Sequence, residues 1–176
     1  MFSPNPERRA RFTARMGPAL GVDVRVVDSA EECVRGADIV VVATNSFARP
    51  DPIAYRGAWM EPGVLVDAIG STSTFLREID ADTFQRAECI VVDSTAQVEE
   101  ESGDVKAALS EGKYDRAKVV DLKEVLVGQA QGRTSAQQLV LFKSVGTAVQ
   151  GVMAGFVVYE EALRQGRGQD IGEFLE

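Results

Sequence analysis

Short apolar runs recur along the chain, and each of them ends in small or polar residues. Residues 37–44 read Ala-Asp-Ile-Val-Val-Val-Ala-Thr, and residues 64–70 read Val-Leu-Val-Asp-Ala-Ile-Gly. Such runs are typical of buried parallel strands that deliver a loop to a ligand at their carboxyl ends. The same pattern predicts strands over residues 89–93 and 139–142, and alternation of apolar with polar residues predicts one over residues 22–26.

Helix signals separate these strands. Asn5-Pro6 provides an N-cap followed by proline at the first helical position, and Gly17-Pro18 is expected to end that helix. Gly36 is expected to close a short helix over residues 30–35. Further helices are predicted over residues 80–86, 97–111, 119–127 and 145–163, before a glycine-rich tail.

This alternation of strands and helices predicts an α/β fold with a Rossmann-like parallel sheet and helices on both faces. A Rossmann unit opens with a strand, a G-x-G-x-x-G turn and a helix. No such turn precedes residue 37. We therefore expect a sheet that lacks its first strand and its glycine-rich turn, and correspondingly weak binding of a dinucleotide pyrophosphate.

Composition and charge narrow the range of partners. With 176 residues and 45% hydrophobic content, the chain can fill one core. A net charge of −8 and a pI near 4.7 argue against nucleic acid and anionic membranes as partners. The sequence has neither a long apolar run nor the apolar core of a signal peptide, so a cytoplasmic protein is expected.

The chain contains no histidine. This excludes Ser-His-Asp and Cys-His nucleophilic sites, and no metal site is predicted. Cys33 and Cys89 are far apart in sequence and are interpreted as reduced core thiols. Any chemistry must use carboxylates, hydroxyls, Lys, Arg, backbone dipoles or a bound cofactor.

Two strand ends carry candidate ligand-binding groups. Thr44, Asn45 and Ser46 offer hydroxyl and amide groups that can hydrogen-bond a ribose or a nicotinamide, or that form a turn satisfying its own backbone. In the segment from Asp67 to Thr72, small residues would let a flat ring approach the backbone, although a plain tight loop is equally consistent.

The third strand end is the most distinctive. Residues 141–146 read Leu-Phe-Lys-Ser-Val-Gly and turn an apolar strand into a helix. The first N–H groups of that helix could face an amide or a carboxylate. Ser144 is also an ordinary helix cap, so both interpretations stay open.

The order of these motifs resembles the ornithine cyclodeaminase/mu-crystallin family of NAD(P)-dependent proteins. The resemblance covers nearly the whole chain, and its more specific part is Phe-Lys-Ser-Val-Gly at residues 142–146, which follows Gly132-Arg133-Thr134-Ser135. The other matching segments are Ser3-Pro4-Asn5-Pro6-Glu7-Arg8, Gly36-Ala37-Asp38-Ile39-Val40 with Ala43-Thr44, Pro62-Gly63 with Ala68-Ile69-Gly70, Glu78-Ile79-Asp80, and Gly103-Asp104.

The resemblance implies a subunit of about twice this length, in which a substrate and dimerisation domain precedes the Rossmann domain. The chain corresponds to the second half. Residues 1–146 are then a partial NAD(P)-binding Rossmann domain, and residues 147–176 are a carboxyl-terminal helix and tail that returns to the first domain. A homodimer is expected for the intact form.

The resemblance also implies the cofactor, NAD or NADP, and where it binds. Ser3 and Asn5 fall near the adenosine ribose, where an acid usually holds the 2′-hydroxyl of NAD, and Ser3 leaves room for the 2′-phosphate of NADP. Thr44, Asn45, Ala68, Ile69 and Ser144 match positions that line the nicotinamide half. The full set of implied cofactor-binding residues is Ser3, Asn5, Thr44, Asn45, Asp67, Ala68, Ile69, Gly70, Ser144 and Val145.

One position departs from the family pattern. Relatives that cyclise ornithine carry an Asp at the position of Thr72, on the substrate side of the loop, and a Lys at the position of Leu76. A hydroxyl cannot serve as a base near neutral pH as a carboxylate can. Imine reduction or oxidative deamination of a small amino acid therefore fits better than cyclodeamination.

The leading interpretation is the NAD(P)-binding half of an oxidoreductase that acts on amino-acid or imino-acid substrates, of the amino-acid dehydrogenase, ketimine reductase or cyclodeaminase type. Two alternatives remain open, a non-catalytic mu-crystallin-like protein that binds NADP and a small ligand, and an inactive remnant. Because the substrate-binding Lys and Arg of intact relatives belong to the first half, we expect little turnover from this chain alone.

The missing strand has a structural consequence. In a Rossmann order of 3-2-1-4-5-6 it would separate the unit at residues 22–27 from the strand at residues 39–43. We expect an exposed gap rather than direct pairing across it, with unpaired edges that expose apolar surface and favour self-association.

Overall fold

The computed structural model describes residues 1–44 and 50–172, in two compact units, Met1–Val145 and a unit that begins at Gly146. The described helices are α1 (Pro6–Leu20), α2 (Ala30–Val34), α3 (Ala81–Arg86), α4 (Thr95–Glu101), α5 (Gly103–Ser110), α6 (Leu122–Leu126) and α7 (Ala148–Gln165). The described strands are β1 (Ile39–Val42), β2 (Leu65–Ala68), β3 (Cys89–Val92), β4 (Val119–Asp121) and β5 (Val140–Lys143).

The first unit is built on one parallel sheet with the order β1-β2-β5-β3-β4. The predicted Rossmann-like α/β class is therefore confirmed. The order differs from a sequential 3-2-1-4-5-6 arrangement, because β5, the last of the described strands in sequence, lies between β2 and β3. Because all five described strands are parallel, their carboxyl ends lie along one side of the sheet. The candidate site is on that side.

Helices cover both faces of the sheet, as predicted. On one face, Val66 and Leu141 belong to the main core together with Phe84 of α3. On the other face, Val140 belongs to a second core that Val125 of α6 packs against. Each strand can supply both cores because successive side chains of a strand point to opposite faces.

The strand β1 lies at an edge of the sheet, and its outer face is open. Val40 and Val42 are 5% exposed in the main core, whereas Ile39 is 64% exposed and Val41 is 59% exposed. The predicted open edge with exposed apolar surface is therefore confirmed among the described residues. Pairing of residues 22–27 directly with β1 is not seen.

The predicted strand over residues 22–26 is wrong. This segment belongs to none of the described strands, although the amino group of Met1 donates to the carbonyl of Arg25 (2.5 Å) and the N–H of Val27 donates to the carbonyl of Met1 (3.4 Å). The alternation in the sequence is that of a strand, but these two hydrogen bonds to one residue do not make a ladder.

The prediction that Gly17-Pro18 ends the first helix is also wrong. The helix α1 continues through Pro18 to Leu20, and Gly21 caps it in the left-handed conformation with φ 65°. Proline removes one backbone donor, and glycine before it has no Cβ to clash with the proline ring. A proline in the last turns of an exposed helix is therefore tolerated.

Two predicted helices have a different internal structure. The stretch 97–111 is divided into α4 and α5 by Ser102, whose extended backbone ends α4 and whose side chain caps α5 by accepting from the N–H of Val105. The stretch 119–127 begins with β4, which pairs with β3, and only then becomes helix α6. Val119 and Val120 are β-branched, and a neighbouring strand decides their conformation.

In the second unit, α7 begins at Ala148 rather than at Val145. Thr147 caps it, because its side chain accepts from the N–H of Gln150 while the Gln150 side chain accepts from the N–H of Thr147. This capping box fixes the start of the helix. Across the described ranges, no helix combines the length and the apolar character needed to cross a membrane.

Candidate functional site

The candidate site lies at the carboxyl ends of β1, β2 and β5. Thr44 follows β1, Ile69 and Gly70 follow β2, and Ser144 follows β5. The N–H of Ile69 donates to the carbonyl of Val42 (3.0 Å), and the N–H of Ser144 donates to the carbonyl of Ala68 (3.2 Å). The sheet therefore brings these predicted residues to one edge. Asn45, also predicted, lies outside the described residues.

A single buried carboxylate links two of these strand ends. Glu78 Oε2 accepts from the N–H of Thr44 (3.1 Å) and from the Thr44 hydroxyl (3.2 Å). Glu78 Oε1 accepts from the N–H of Gly70 (2.6 Å) and from the N–H of Ser71 (3.1 Å). Since the Glu78 side chain is fully buried, these donors replace the water that a carboxylate otherwise requires.

Glu78 is part of a buried charge cluster, which consists of Glu78, Asp104 and Lys143. Lys143 Nζ lies 3.6 Å from Glu78 Oε1 and 3.2 Å from Asp104 Oδ2, and all three side chains are fully buried. The ammonium also donates to the carbonyl of Ser71 (2.9 Å). Lys143 thus combines one hydrogen bond, to the Ser71 carbonyl, with two buried ion pairs.

The strand end of β5 is held by a second carboxylate. Asp93, which follows β3, accepts at Oδ2 from the Ser144 hydroxyl (2.7 Å) and from the N–H of Val145 (3.1 Å). Ser144 therefore does not cap α7, whose cap is Thr147. Its hydroxyl is oriented by Asp93 at the same edge of the sheet as Thr44 and Gly70.

Ala68, Ile69 and Gly70 differ in what they can offer to a ligand. Ala68 is fully buried in the main core, and its carbonyl is used by Ser144. Ile69 is 40% exposed. A Cβ at Gly70 would lie less than 3.0 Å from backbone atoms of Thr44 and from the Glu78 carboxylate, so glycine is required there by the protein itself.

Asp67 and Thr72 complete the predicted set around β2. The register aligns Asp67 with Val41 of β1 and Phe142 of β5. Asp67 Oδ1 is buried and makes no hydrogen bond to any described residue, and burial raises the pKa of this carboxyl above its usual value. Thr72 is exposed in the loop after β2.

The raised pKa of Asp67 leads to a pH-dependent prediction. Burial disfavours the charged carboxylate, so Asp67 costs stability above its unfolded pKa of 3.8, and this cost disappears as the pH falls below that value. We expect Asp67→Asn to raise the free energy of unfolding at neutral pH, by at most about 1 kcal/mol because the group is only partly shielded. Urea unfolding across acidic to neutral pH measures this gain.

The control for this prediction is Asp38→Asn, at an exposed position just before β1. Its effect should not grow between acidic and neutral pH as that of Asp67→Asn does. A stability gain for Asp67→Asn that is the same at both ends of the pH range would contradict the assignment of the effect to a buried charge.

A groove joins the chain start to the edge strand. Its volume is about 750 Å³, and it is lined by the segment from Phe2 to Asn5 together with Arg8, by Ala30, Cys33 and Val34, by Val40–Thr44, and by Ile53–Tyr55. Ser3, Asn5 and Thr44 therefore share one concave surface. The Oδ1 of Asn5 already accepts a hydrogen bond from the N–H of Arg8 (3.0 Å), which caps α1.

Tyr55 places a polar group within the groove lining. Its side chain is 1% exposed, and its hydroxyl has no hydrogen-bond partner among the described residues. Burial raises the pKa of this phenol to about 12, so it stays neutral and keeps its proton. A buried hydroxyl without a partner can be satisfied by a polar ligand or by water.

A second cavity adjoins Ser3 and is rich in arginine. It has a volume of about 620 Å³, and its lining is Met1, Ser3, Arg8, Arg11, Phe12, Arg15 and Met16. The three arginines lie on α1 at intervals of three and four residues, so they share one face of that helix. This local concentration of positive charge contrasts with the net charge of −8 of the whole chain.

The model of the ornithine cyclodeaminase/mu-crystallin family matches residues 1–166. The chain belongs to this family. Among its relatives, Δ1-pyrroline-2-carboxylate reductase of Bacillus cereus is 28% identical over 172 residues, which are 97% of this chain and 51% of that protein. The chain spans about half the length of the curated relatives it matches.

Solved structures of the family share this fold. The Δ1-pyrroline-2-carboxylate reductase of Thermococcus litoralis, in complex with NADH and L-proline, has a TM-score of 0.86 and 31% identity, and the match covers 96% of this chain and 51% of that one. An archaeal alanine dehydrogenase dimer with bound NAD has a TM-score of 0.77 and 30% identity, with coverage of 96% and 51%.

Several residues that hold the strand ends together were not predicted as site residues from the sequence. Glu78, Asp104 and Lys143 are within the segments that resemble the family, yet the contacts among them were not predicted. Lys143 itself gives a detectable signal, because a lysine that ends an apolar, buried strand must find acidic partners. Asp93, directly after the fully buried strand β3, gives the same kind of signal.

Proposed function

We propose that this chain forms the nicotinamide-dinucleotide-binding part of an NAD(P)-dependent oxidoreductase that acts on amino-acid or imino-acid substrates. The observation that carries the proposal is the groove that runs from Ser3 to Thr44, at the carboxyl end of β1, the strand that pairs with β2 in the parallel sheet. Parallel α/β sheets bind ligands at this edge. The bound cofactor would supply hydride transfer, and the chain would orient it.

The residues present fit such a cofactor. A volume of about 750 Å³ lies within the range of small-molecule sites, about 300–1,000 Å³. By the family resemblance, Ser3 and Asn5 would face the adenosine ribose, and the nicotinamide half would be lined by Thr44, Asn45, Ala68, Ile69 and Ser144.

We infer that the cofactor is NADP rather than NAD. The adenosine-side position is Ser3 instead of an acid, and a carboxylate there would repel a 2′-phosphate. Ser3 also lines the second cavity, beside Arg8, Arg11 and Arg15. Guanidinium groups bind phosphate through two parallel hydrogen bonds, which makes arginine the preferred partner for a 2′-phosphate.

Replacing Arg8 with alanine should test both inferences. Arg8 lines both cavities, and its loss should weaken NADPH binding by about tenfold, the equivalent of one exposed charge-assisted hydrogen bond, while NADH binding changes little. Ligand-observed NMR with NADPH and NADH on the full 176-residue chain measures this, and it detects weak binding. Arg25→Ala is the control, since the Arg25 side chain is 83% exposed and pairs with Asp23.

The outcomes separate the two inferences. Equal affinity of the wild-type chain for NADPH and NADH would contradict the NADP assignment but leave the cofactor class intact. No detectable binding of either nucleotide would overturn the proposed function itself.

We propose reduction of an imino acid, or the reverse oxidative deamination, as the reaction of the complete enzyme. The relatives named above are a pyrroline-carboxylate reductase and an alanine dehydrogenase. Thr72 supports this choice over cyclodeamination, because an exposed threonine hydroxyl cannot act as the base that an aspartate would provide there. A homodimer is proposed for the complete form, in line with the archaeal relative.

Thr72 is also compatible with a second candidate function, that of a non-catalytic protein that binds NADPH and a small ligand. Thermal unfolding distinguishes the two. A small ligand that raises the Tm in the presence of NADPH without NADPH oxidation would favour the binding role. Consumption of NADPH with a cyclic imino acid would favour the oxidoreductase.

A further inference from the structure

The Glu78 carboxylate is shared between two loops that belong to different strands. One oxygen, Oε2, accepts from the N–H and the hydroxyl of Thr44, directly after β1. The other oxygen accepts from the loop after β2, through the N–H groups of Gly70 and Ser71. The side chain therefore fixes the separation of the two loops, at distances of 2.6–3.2 Å for each contact.

Glu78 is itself held from the opposite side. Asp104 Oδ1 accepts from the N–H of Glu78 (2.9 Å) and from the N–H of Ile79 (3.2 Å), so the backbone of Glu78 is anchored to α5. Lys143 Nζ lies between the two carboxylates and also donates to the carbonyl of Ser71. Full burial keeps these contacts from exchanging with water.

We propose that Glu78 is a positioning residue that shapes the nicotinamide end of the cofactor site by holding Thr44, directly after β1, at a fixed spacing from Gly70 and Ser71, after β2. This inference rests on the proposed function, because it concerns the part of the same site that would receive the nicotinamide ring. Glu78 acts through Thr44 and Gly70 and does not itself touch the cofactor.

The chemistry of the contacts explains why a carboxylate is required. The four described groups that hydrogen-bond to the Glu78 side chain are all donors, and a carboxylate can accept at both oxygens. In Glu78→Gln one oxygen becomes an NH₂ group, which must face either the Thr44 N–H or the N–H groups of Gly70 and Ser71. One loop is therefore released, while Asp104 and Lys143 remain as a neutral pair that allows the chain to fold.

The test compares NADPH with 2′-phospho-ADP-ribose, which lacks only the nicotinamide. In Glu78→Gln, NADPH affinity should fall about tenfold, whereas 2′-phospho-ADP-ribose affinity should stay within about twofold. Independently of any ligand, hydrogen exchange should become faster in the released loop, either at the Thr44 amide or at the Gly70 and Ser71 amides. The control is Glu88→Gln, because Glu88 also accepts a backbone hydrogen bond, from Leu139 (2.9 Å), but at the amino ends of the strands.

Each outcome has a defined meaning. Equal loss of affinity for both nucleotides, or loss for neither, would overturn the positioning role, as would unchanged amide exchange at the three positions. No NADPH binding by the wild-type chain would overturn the proposed function, while the exchange data would still report on the loops. If Glu78→Gln does not fold, Thr44→Val, which removes only the hydroxyl contact to Glu78 Oε2, must show faster exchange of the backbone amide at position 44.

Discussion

Replacing Lys143 with methionine is expected to destabilise the protein by about 3–5 kcal/mol, the range for removing one partner of a buried ion pair. Methionine resembles lysine in length but leaves the carboxylates of Glu78 and Asp104 fully buried without a cation. A domain has roughly 5–15 kcal/mol of stability, so this loss would be a large part of the total. Urea unfolding midpoints, at unchanged slope, measure it.

Lys123→Met is the matched control, since Lys123 is 75% exposed in its ion pair with Asp121 and should matter by less than about 0.5 kcal/mol. A triple variant with Lys143→Met, Glu78→Gln and Asp104→Asn should recover part of the loss, because no buried charge is then left uncompensated. A midpoint for Lys143→Met equal to that of the Lys123 control would refute the account of the buried charge cluster.

The strands that sequence analysis predicted correctly are those with a continuous apolar run. β1, β2 and β3 lie within their predicted segments, and β5 extends one residue beyond its segment, to Lys143. β4 was missed because its three residues run directly into α6. Three residues are too few to show a period of two, and pairing with β3 decides their structure instead.

The wrong strand at residues 22–26 shows the opposite case. Its alternating pattern is sufficient for an extended conformation, but a strand also requires a neighbour with a matching hydrogen-bond ladder. The backbone there bonds to Met1 at residues 25 and 27 and does not join the sheet. Local pattern can predict which conformation a segment prefers, whereas the rest of the molecule determines whether that segment joins a sheet.

The sequence predicted only part of the candidate site, because local pattern does not show which distant residues come into contact. The parallel direction of the strands was enough to bring Thr44, Gly70 and Ser144 to one edge. The contacts that hold them there link residues 34 positions apart for Thr44 and Glu78, and 51 positions apart for Asp93 and Ser144. No local periodicity encodes such pairs, so the carboxylates that organise the edge become visible only in three dimensions.

Gly70→Ala is expected to destabilise the protein by about 1–3 kcal/mol, the usual range for overpacking. A Cβ at Gly70 would lie less than 3.0 Å from the backbone N and O of Thr44 and from Glu78 Oε2. Backbone atoms of a strand end cannot rotate away as a side chain can, so the effect should fall in the upper part of this range. The same shift would separate the loops after β1 and β2, and NADPH binding should weaken together with stability.

Gly155→Ala is the matched control for this change. Gly155 lies inside α7, where an added Cβ would meet nothing within 4 Å. Alanine is favoured over glycine in a helix by up to about 1 kcal/mol, so this variant should be neutral or more stable. If Gly70→Ala unfolds at the same urea concentration as Gly155→Ala, the close approach of Thr44 and Gly70 does not constrain the site, and the geometry assigned to Glu78 would also have to be abandoned.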